Sequence, residues 1–334
     1  MTKNSSKPSL SINQPSEKLE NSGAIPIAKV TGGKHDKCLL YLHPDGKKTN
    51  KDTIKMNNEI NPKIYDKEMK ALKLRPIERT KLINKLEEAK NKKIPLDHLN
   101  ENEDIKAIYE KILKQDEDLN NTEFQLDDNC SFELVPSTDP KKRQVYYIAG
   151  QSGSGKSYIA KGLGEKYKKL YPEREVYLIS KLNEDETLDS MKPSPPKRIS
   201  IDSLVADYPK LDEFSNCMII FDDFDTLTKD QLKAVEQLIS DLAIQGRHTN
   251  TTMLILTHYL TNYKKTRLIL NEVTNVVVYP MSTAFTPLKY LLMHYFGLEK
   301  EDVHQLKKLG RWVSISKSYP QYLISQHFAK LLNQ

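Results

Sequence analysis

The chain has 334 residues and a mass of 38.5 kDa, which is enough for at least one full hydrophobic core and about two domains. Lysine and arginine number 51 against 45 acidic residues, and the net charge of +6 is compatible with a polyanionic partner. The cysteines Cys38, Cys130 and Cys217 lie far apart, which excludes the spacing of a structural zinc site and indicates a reducing environment. No apolar run reaches the ~18 residues of a membrane span and no secretion signal is present, so we expect a soluble intracellular protein.

The first 135 residues divide into three segments of different composition. Residues 1–22 are rich in Ser, Asn, Lys and Pro, which predicts a disordered tail. Residues 23–47 contain two short β-type runs, AIPIAKVTGG and KCLLYLHPDG, each closed by a glycine turn, and these predict a small β hairpin. Residues 48–135 have helical spacing with little apolar content, which favours a charged helical arm or linker over a dedicated binding module.

From residue 136 to 334, apolar runs alternate with segments of helical spacing, and we expect one domain there. Apolar runs predict strands at 145–149, 175–180, 197–201, 217–221, 252–256 and 276–279, and a terminal hairpin at 311–316 and 322–325. Strands that are continuously apolar and separated by helices indicate a parallel sheet covered on both faces. The sequence therefore predicts an α/β fold with a mostly parallel central sheet covered by helices, preceded by a hairpin and helical extension.

A phosphate-binding loop is predicted between the first of these strands and a helix. The segment GQSGSGKS fits the pattern GxxxxGK[ST] in the strand and helix context that this motif requires. Its glycines let backbone amides turn toward phosphate oxygens at the positive end of the helix. We expect Lys156 to reach the β and γ phosphates and the Ser157 hydroxyl to bind Mg²⁺. The predicted nucleotide-binding residues are Gly150, Gln151, Ser152, Gly153, Ser154, Gly155, Lys156 and Ser157.

Two aspartates at the end of a predicted strand limit the reactions that this site could catalyse. In MIIFDDFD, four apolar residues precede Asp222, so its carboxylate emerges at the carboxyl end of a strand, where α/β sheets bind ligands. We expect Asp222 to hold Mg²⁺, largely through water, and Asp223 to orient or deprotonate the attacking water. Two adjacent carboxylates favour hydrolysis over transfer to a hydroxyl group, and no guanine-reading [NT]KxD motif is present, so ATP is the expected nucleotide.

Three further residues are candidates for catalysis. His258 follows the strand at 252–256 and is a candidate sensor of the γ-phosphate, with an ordinary hydrogen-bonded histidine as the alternative. Arg247 and Arg267 lie near the ends of predicted elements, and either is a candidate arginine finger inserted into a neighbouring subunit's site. The alternative for each arginine is a structural ion pair.

Five segments in this order resemble the poxvirus-type genome-packaging ATPases of large DNA viruses, which belong to the FtsK/HerA division of ring-forming P-loop motors. These are AGQSGSGKS, MIIFDDFD, GRHTNTTMLILTHYL, TRLILNEVTNVVVYP and GRWVSISKSYPQYLIS, within residues 141–325. The resemblance implies that the strand beginning at Thr252 lies between the phosphate-loop strand and the Asp222 strand. It places the family's acidic pair on Asp222 and Asp223. The family commonly has glutamine where this chain has His258.

The resemblance implies an ATP-driven motor, a homo-oligomeric ring, that moves double-stranded DNA of any sequence through lysine and arginine contacts to phosphates. It also implies capsid proteins as partners and a location in the infected host's cytoplasm or in the virion. Two alternatives stay open: a divergent ATPase of the same division with a remodelling role, and a nucleotide-bound virion scaffold protein that hydrolyses little. Stimulation of ATP hydrolysis by DNA separates the motor from the scaffold.

Overall fold

The computed structural model describes residues 7–46, 60–261 and 266–332. The N-terminal part combines short strands with three longer helices. Its elements are β1 (Ser9–Asn13), α1 (Glu17–Asn21), β2 (Ile25–Thr31), β3 (Leu39–His43), α2 (Pro62–Glu68), α3 (Pro76–Lys92), α4 (Glu103–Asn120), β4 (Glu123–Gln125) and β5 (Ser131–Leu134).

A four-stranded antiparallel sheet, which we call the N-terminal sheet, has the strand order β1, β3, β2, β5. Strands β2 and β3 pair over the segment in which the sequence predicts a hairpin. The prediction of a disordered tail over residues 1–22 is wrong for β1 and α1, while residues 1–6 lie outside the described residues.

Burial of alternate side chains explains why β1 is ordered. Leu10 and Ile12 are fully buried on one side of the strand. On the other side the Ser11 hydroxyl lies 2.7 Å from His43 Nε2 and accepts a hydrogen bond from Asn13 Nδ2 at 2.8 Å. These polar groups thus gain partners as they leave water, and the apolar side chains supply the driving force.

The helices α2, α3 and α4 pack against one another around their own core. Tyr109 and Ile112 of α4 are fully buried there. An ion pair of 2.8 Å joins Lys90 of α3 to the buried Asp116 of α4. The helices lie where the sequence predicts helical spacing, but they form a packed unit rather than a solvated arm. The part of the predicted arm at residues 48–59 lies outside the described residues.

The second half of the chain alternates strands and helices. Its elements are β6 (Val145–Ala149), α5 (Lys156–Leu170), β7 (Val176–Ser180), α6 (Glu186–Asp189), β8 (Lys197–Arg198), α7 (Ile201–Ala206), β9 (Met218–Asp222), α8 (Lys229–Gln245), β10 (Thr252–Thr257), α9 (Arg267–Glu272), β11 (Asn275–Val278), α10 (Phe285–Phe296), α11 (Lys300–Leu306), β12 (Val313–Ser316), β13 (Tyr322–Ser325) and β14 (Phe328–Leu331). The strand predicted at 197–201 is shorter than expected, because helix α7 begins at Ile201. No helix in the described parts of the chain has the length and apolar character needed to cross a membrane.

These strands join β4 in one large sheet with the order β4, β14, β13, β12, β11, β6, β10, β9, β7, β8. The six strands from β11 to β8 pair in parallel, and the strands from β4 to β12 form an antiparallel extension. Strand β10 lies between β6 and β9, which confirms the order that the family resemblance implies. The α/β fold with a mostly parallel central sheet is confirmed as well.

The two faces of the large sheet are covered differently. Helices α7 to α11 cover one face and contribute buried side chains such as Leu238 and Leu291. The other face packs against α5 and against the N-terminal sheet, which contributes Leu10, Ile12 and Phe132 to the same core. The expected helical cover is therefore complete on one face only. On the other face an antiparallel sheet takes the place of helices.

Candidate functional site

The phosphate loop lies between β6 and α5, so strand, loop and helix stand in the predicted order. Gly153 and Gly155 have φ angles of 72° and 109°, in the left-handed region that favours glycine. Gly155 directly precedes Lys156, the first residue of α5. The first N–H groups of a helix have no partner within it, so the loop and the start of α5 form a site for an anion.

Gly150, the first residue of the loop, is in close contact with an aromatic ring. A Cβ atom at this position would lie 2.5 Å from Cδ2 of Tyr279 and 2.7 Å from the Ser154 hydroxyl oxygen. Tyr279 follows β11, which is paired with β6, and its side chain is buried. Only glycine therefore lets the loop start beneath this ring.

Lys156 lies inside the loop and is 7% exposed. Its Nζ donates hydrogen bonds to the carbonyl oxygens of Gly150 at 3.0 Å and Gln151 at 3.2 Å. Burial lowers the pKa of Lys156, and the negative charges of Asp222, Asp223 and Asp225 act in the opposite direction. The ammonium group and the carboxylates therefore share one edge of the sheet.

Asp222 ends β9 and is 4% exposed. Burial, together with the charges of Asp223 and Asp185, raises its pKa to about 7, although the charge of Lys156 acts in the opposite direction. Ionised Asp222 therefore needs a nearby cation for compensation. A Mg²⁺ ion, which prefers oxygen ligands, fits this carboxylate together with the hydroxyl of Ser157 in the first turn of α5.

The raised pKa of Asp222 predicts a pH dependence of stability in the nucleotide-free protein. Because the folded state binds this proton more tightly than the unfolded chain, with its ordinary pKa of 3.8, ionisation of Asp222 destabilises the fold progressively from about pH 4 to about pH 7. We expect Asp222→Asn to raise the free energy of unfolding by up to about 4 kcal/mol at pH 8, and by far less at pH 4. Urea titrations at both pH values measure this, and an equal change at both would contradict the prediction.

Asp223 occupies the turn that follows β9, with φ 48° and ψ 34°. A residue other than glycine rarely adopts this left-handed conformation, and such strain is typical of functional sites. The Asp223 Oδ1 atom lies 3.4 Å from Nε2 of His258, and both side chains are about one third exposed. The structure thus brings together two residues that the sequence predicts separately. Their roles as base and sensor stay predictions.

Asp225 connects this turn to the neighbouring strand. Its Oδ2 atom accepts hydrogen bonds from the Thr257 hydroxyl at 3.3 Å and from the His258 backbone N–H at 3.1 Å. Thr257 is the last residue of β10, and its backbone carbonyl accepts a bond from the Gly150 N–H at 3.1 Å. The phosphate loop, the end of β10 and the acidic turn are therefore linked by hydrogen bonds.

The structure does not bring Arg247 to its own phosphate loop. Arg247 is exposed and follows α8, and Arg143, just before β6, donates a hydrogen bond of 2.6 Å to the Leu242 carbonyl near the end of that helix. This places Arg247 at the amino ends of the strands, on the edge opposite the loop. Arg267 is also exposed, as the first residue of α9. The prediction that either arginine serves a neighbouring subunit stays a prediction.

Arg311 is a site residue that the sequence analysis did not single out. Its Nε donates to the Ser154 carbonyl at 2.9 Å, and its Nη2 donates to the Gly153 carbonyl at 3.0 Å. It lies just before β12, in the antiparallel extension of the sheet. The sequence signal beside it is Gly310, because its φ of 114° lies in the left-handed region that favours glycine and turns the chain into this segment. The guanidinium group therefore supports the phosphate loop of its own chain.

Comparisons with known proteins include solved structures of low identity, and no protein-family model matches the chain. The genome packaging NTPase B204 from Sulfolobus turreted icosahedral virus 2, in complex with ATP-gammaS, is 13% identical with a TM-score of 0.38, covering 57% of this chain and 97% of that one. The pCW3 conjugation coupling protein TcpA is 12% identical with a TM-score of 0.39, covering 98% and 87%. At these TM-scores the likeness carries no argument about function.

One relative is similar in sequence over most of its length. It is a Sputnik virophage protein described as "Uncharacterized protein V3", which is 35% identical to this chain over 203 residues. The match covers 60% of this chain and 81% of V3. The chain therefore belongs to the same family as protein V3 of the Sputnik virophage.

Proposed function

We propose that the chain is an ATPase that couples the hydrolysis of ATP to ADP and phosphate to the movement of double-stranded DNA, and that its task is genome packaging. The observation that carries the ATPase proposal is the arrangement at one edge of the sheet. There the charge of the buried Lys156 of the phosphate loop interacts with those of Asp222, Asp223 and Asp225, which lie at and after the end of β9 on the far side of β10. One cation within a glycine-rich loop and a cluster of carboxylates is the combination that phosphoryl chemistry with a metal ion requires.

Each residue at this edge has a distinct role in the proposed reaction. The amides of the loop and the ammonium group of Lys156 hold the phosphates, which requires Lys156 to exchange its bonds with the Gly150 and Gln151 carbonyls for phosphate oxygens. Asp223 accepts a proton from the attacking water or orients it. His258, in contact with Asp223, reports the state of the γ-phosphate to the rest of the chain through the end of β10.

A Mg²⁺ ion would be held by Asp222, largely through water, and by the Ser157 hydroxyl, and it would neutralise charge on the phosphate oxygens. The protein prepares this site by burying Asp222 at the end of β9. The proposal of Mg²⁺ rests on this buried carboxylate, whose charge Lys156 offsets only in part.

The proposed partners follow from the net charge of the chain and from its family relationship to a virophage protein. A net charge of +6 suits contacts to DNA phosphates without base reading, as a motor that accepts any sequence requires. Membership of a family with a virophage protein supports a viral origin. We further propose a homo-oligomeric ring that works with capsid proteins in the infected cell or the virion, because Arg247 lies away from its own phosphate loop.

The experiment that tests the proposal is the steady-state rate of ATP hydrolysis with and without linear duplex DNA. We expect turnover that rises several-fold with DNA of any sequence, that falls with added salt, and that Lys156→Ala abolishes. Turnover that DNA does not change would favour the remodelling ATPase. ATP binding without turnover under either condition would favour the scaffold protein.

A further inference from the structure

A cavity of about 530 Å³ adjoins the phosphate loop. Its walls come from three parts of the fold that are distant in sequence: the first turns of α5, strand β5 of the N-terminal sheet, and the segment that contains Arg311 and Trp312. Ser154 and Gly155 of the loop line one end of it. The volume lies in the range of small-molecule sites, which usually measure roughly 300–1,000 Å³.

Four aromatic residues line this cavity, and two of them, Tyr158 and Trp312, are not fully buried. Tyr158 lies two residues after Lys156 in the first turn of α5 and is 73% exposed, so the described residues leave most of its side chain uncovered. Trp312 is half-buried against the core beneath the cavity. Aromatic faces stack on nucleobases without requiring a particular base, so a pair of them beside a phosphate loop suits the base of a nucleotide.

Two buried hydroxyl groups, those of Ser154 and Tyr279, lie at the cavity. They interact with each other, and neither has a hydrogen-bond partner elsewhere among the described residues, although both side chains are more than nine-tenths buried and both residues line the cavity. A buried polar group without a partner is costly, and native proteins usually satisfy it by a ligand or by water. A ribose or an α-phosphate has the donors and acceptors that these hydroxyls lack.

The N-terminal sheet supplies the outer wall of the cavity. Glu133 of β5 forms an ion pair of 3.0 Å with Lys166 of α5, which fixes this strand beside the phosphate-loop helix. Arg311 holds the opposite side through its two bonds to the loop carbonyls. The cavity is thus built by the packing of the N-terminal sheet and the antiparallel extension around the start of α5.

We propose that this cavity holds the nucleoside end of the nucleotide, with the base stacked on Tyr158 and Trp312 and the ribose near Ser154 and Tyr279. The proposal rests on the proposed function, because it requires that the loop bind the phosphates. It assigns to the N-terminal sheet a part in nucleotide binding that the phosphate-loop motif does not indicate.

Trp312 is the single tryptophan of the chain and therefore serves as the reporter. The full chain is titrated with ATP and, separately, with inorganic tripolyphosphate, which offers the phosphates without base or ribose. We expect ATP to change the emission of Trp312, tripolyphosphate to bind without that change, and Tyr158→Ala to weaken ATP binding about tenfold while the affinity for tripolyphosphate stays the same. Tyr158→Phe should keep the wild-type affinity for ATP.

The matched control is Tyr290→Ala on α10, which removes a partly exposed tyrosine from the opposite face of the large sheet and should not change ATP binding. Because Tyr158 is largely exposed, its replacement leaves the core intact. If Tyr158→Ala and Trp312→Ala bind ATP as tightly as the wild type, the nucleoside site is refuted while the phosphate loop stands. If the wild type binds neither ATP nor tripolyphosphate, the proposed function fails and this inference fails with it.

Discussion

Asp223→Asn is expected to lower the rate of ATP hydrolysis about 10²- to 10⁴-fold while ATP still binds, which is the usual contribution of a general base. The reason is that the two adjacent aspartates lie in different surroundings and have different roles. Asp222 is buried at the end of β9 beside Lys156, whereas Asp223 turns away in a left-handed conformation and is one third exposed beside His258. Asparagine keeps the size of the side chain but removes its negative charge and its ability to take a proton. Single-turnover hydrolysis and equilibrium binding of ATP separate the two effects.

A matched control for Asp223→Asn is Asp212→Asn, which removes one exposed carboxylate just before the amino end of β9, at the opposite edge of the sheet. It should leave turnover within about twofold of the wild type, since surface substitutions far from a site have small effects. The roles of the two aspartates would be misassigned if Asp223→Asn greatly weakened ATP binding but left hydrolysis at saturating ATP unchanged.

Arg247→Ala or Arg267→Ala is expected to lower turnover by about 10³- to 10⁵-fold with little loss of ATP affinity, because an arginine finger stabilises charge that develops only in the transition state. If the finger comes from a neighbouring subunit, a mixture with Lys156→Ala should recover part of the activity. In such a mixture, some interfaces pair an intact phosphate loop with an intact arginine. The measurement is turnover across a range of mixing ratios.

Arg311→Ala is the control that distinguishes an arginine finger from an arginine that supports the phosphate loop of its own chain. Arg311 supports the phosphate loop of its own chain, so its loss and the loss of Lys156 damage the same half of the site. Mixing these two variants should recover no activity. The shared-site proposal fails if neither finger variant loses turnover, or if the activity of a monomer is independent of protein concentration.

The parts of the site that could be predicted from the sequence are those with local signatures. The spacing of Gly150, Gly155 and Lys156 specifies a strand, a loop and a helix within a few residues. The position of Asp222 after a continuous apolar run specifies the edge of the sheet. In both cases the residues that determine the structure are neighbours in the chain. The position of β10 between β6 and β9 followed from a family resemblance rather than from local pattern.

The features that were missed depend on contacts between distant residues. Strand β1 has a polar composition, and its burial depends on His43 and on the face of a sheet formed much later in the chain. Each helix of the α2 to α4 unit has a narrow apolar stripe. Such a stripe buries enough apolar surface to stabilise its helix only when the three helices share one core. Arg311 contacts carbonyl groups more than 150 residues before it, and no local pattern indicates such a bond.

The pairing of β4 with β14 sets the order in which a nascent chain can complete its fold. Glu123 pairs with Lys330, so β4 leaves the ribosome 207 residues before its partner. At about 5–20 residues per second, this is a delay of roughly 10–40 seconds. Until its end, Leu10 and Ile12 of the N-terminal sheet lack the side chains of β13 and β14 that share their core in the finished protein. A chain that ended before β14 would leave β4 unpaired and an open strand edge available to other chains.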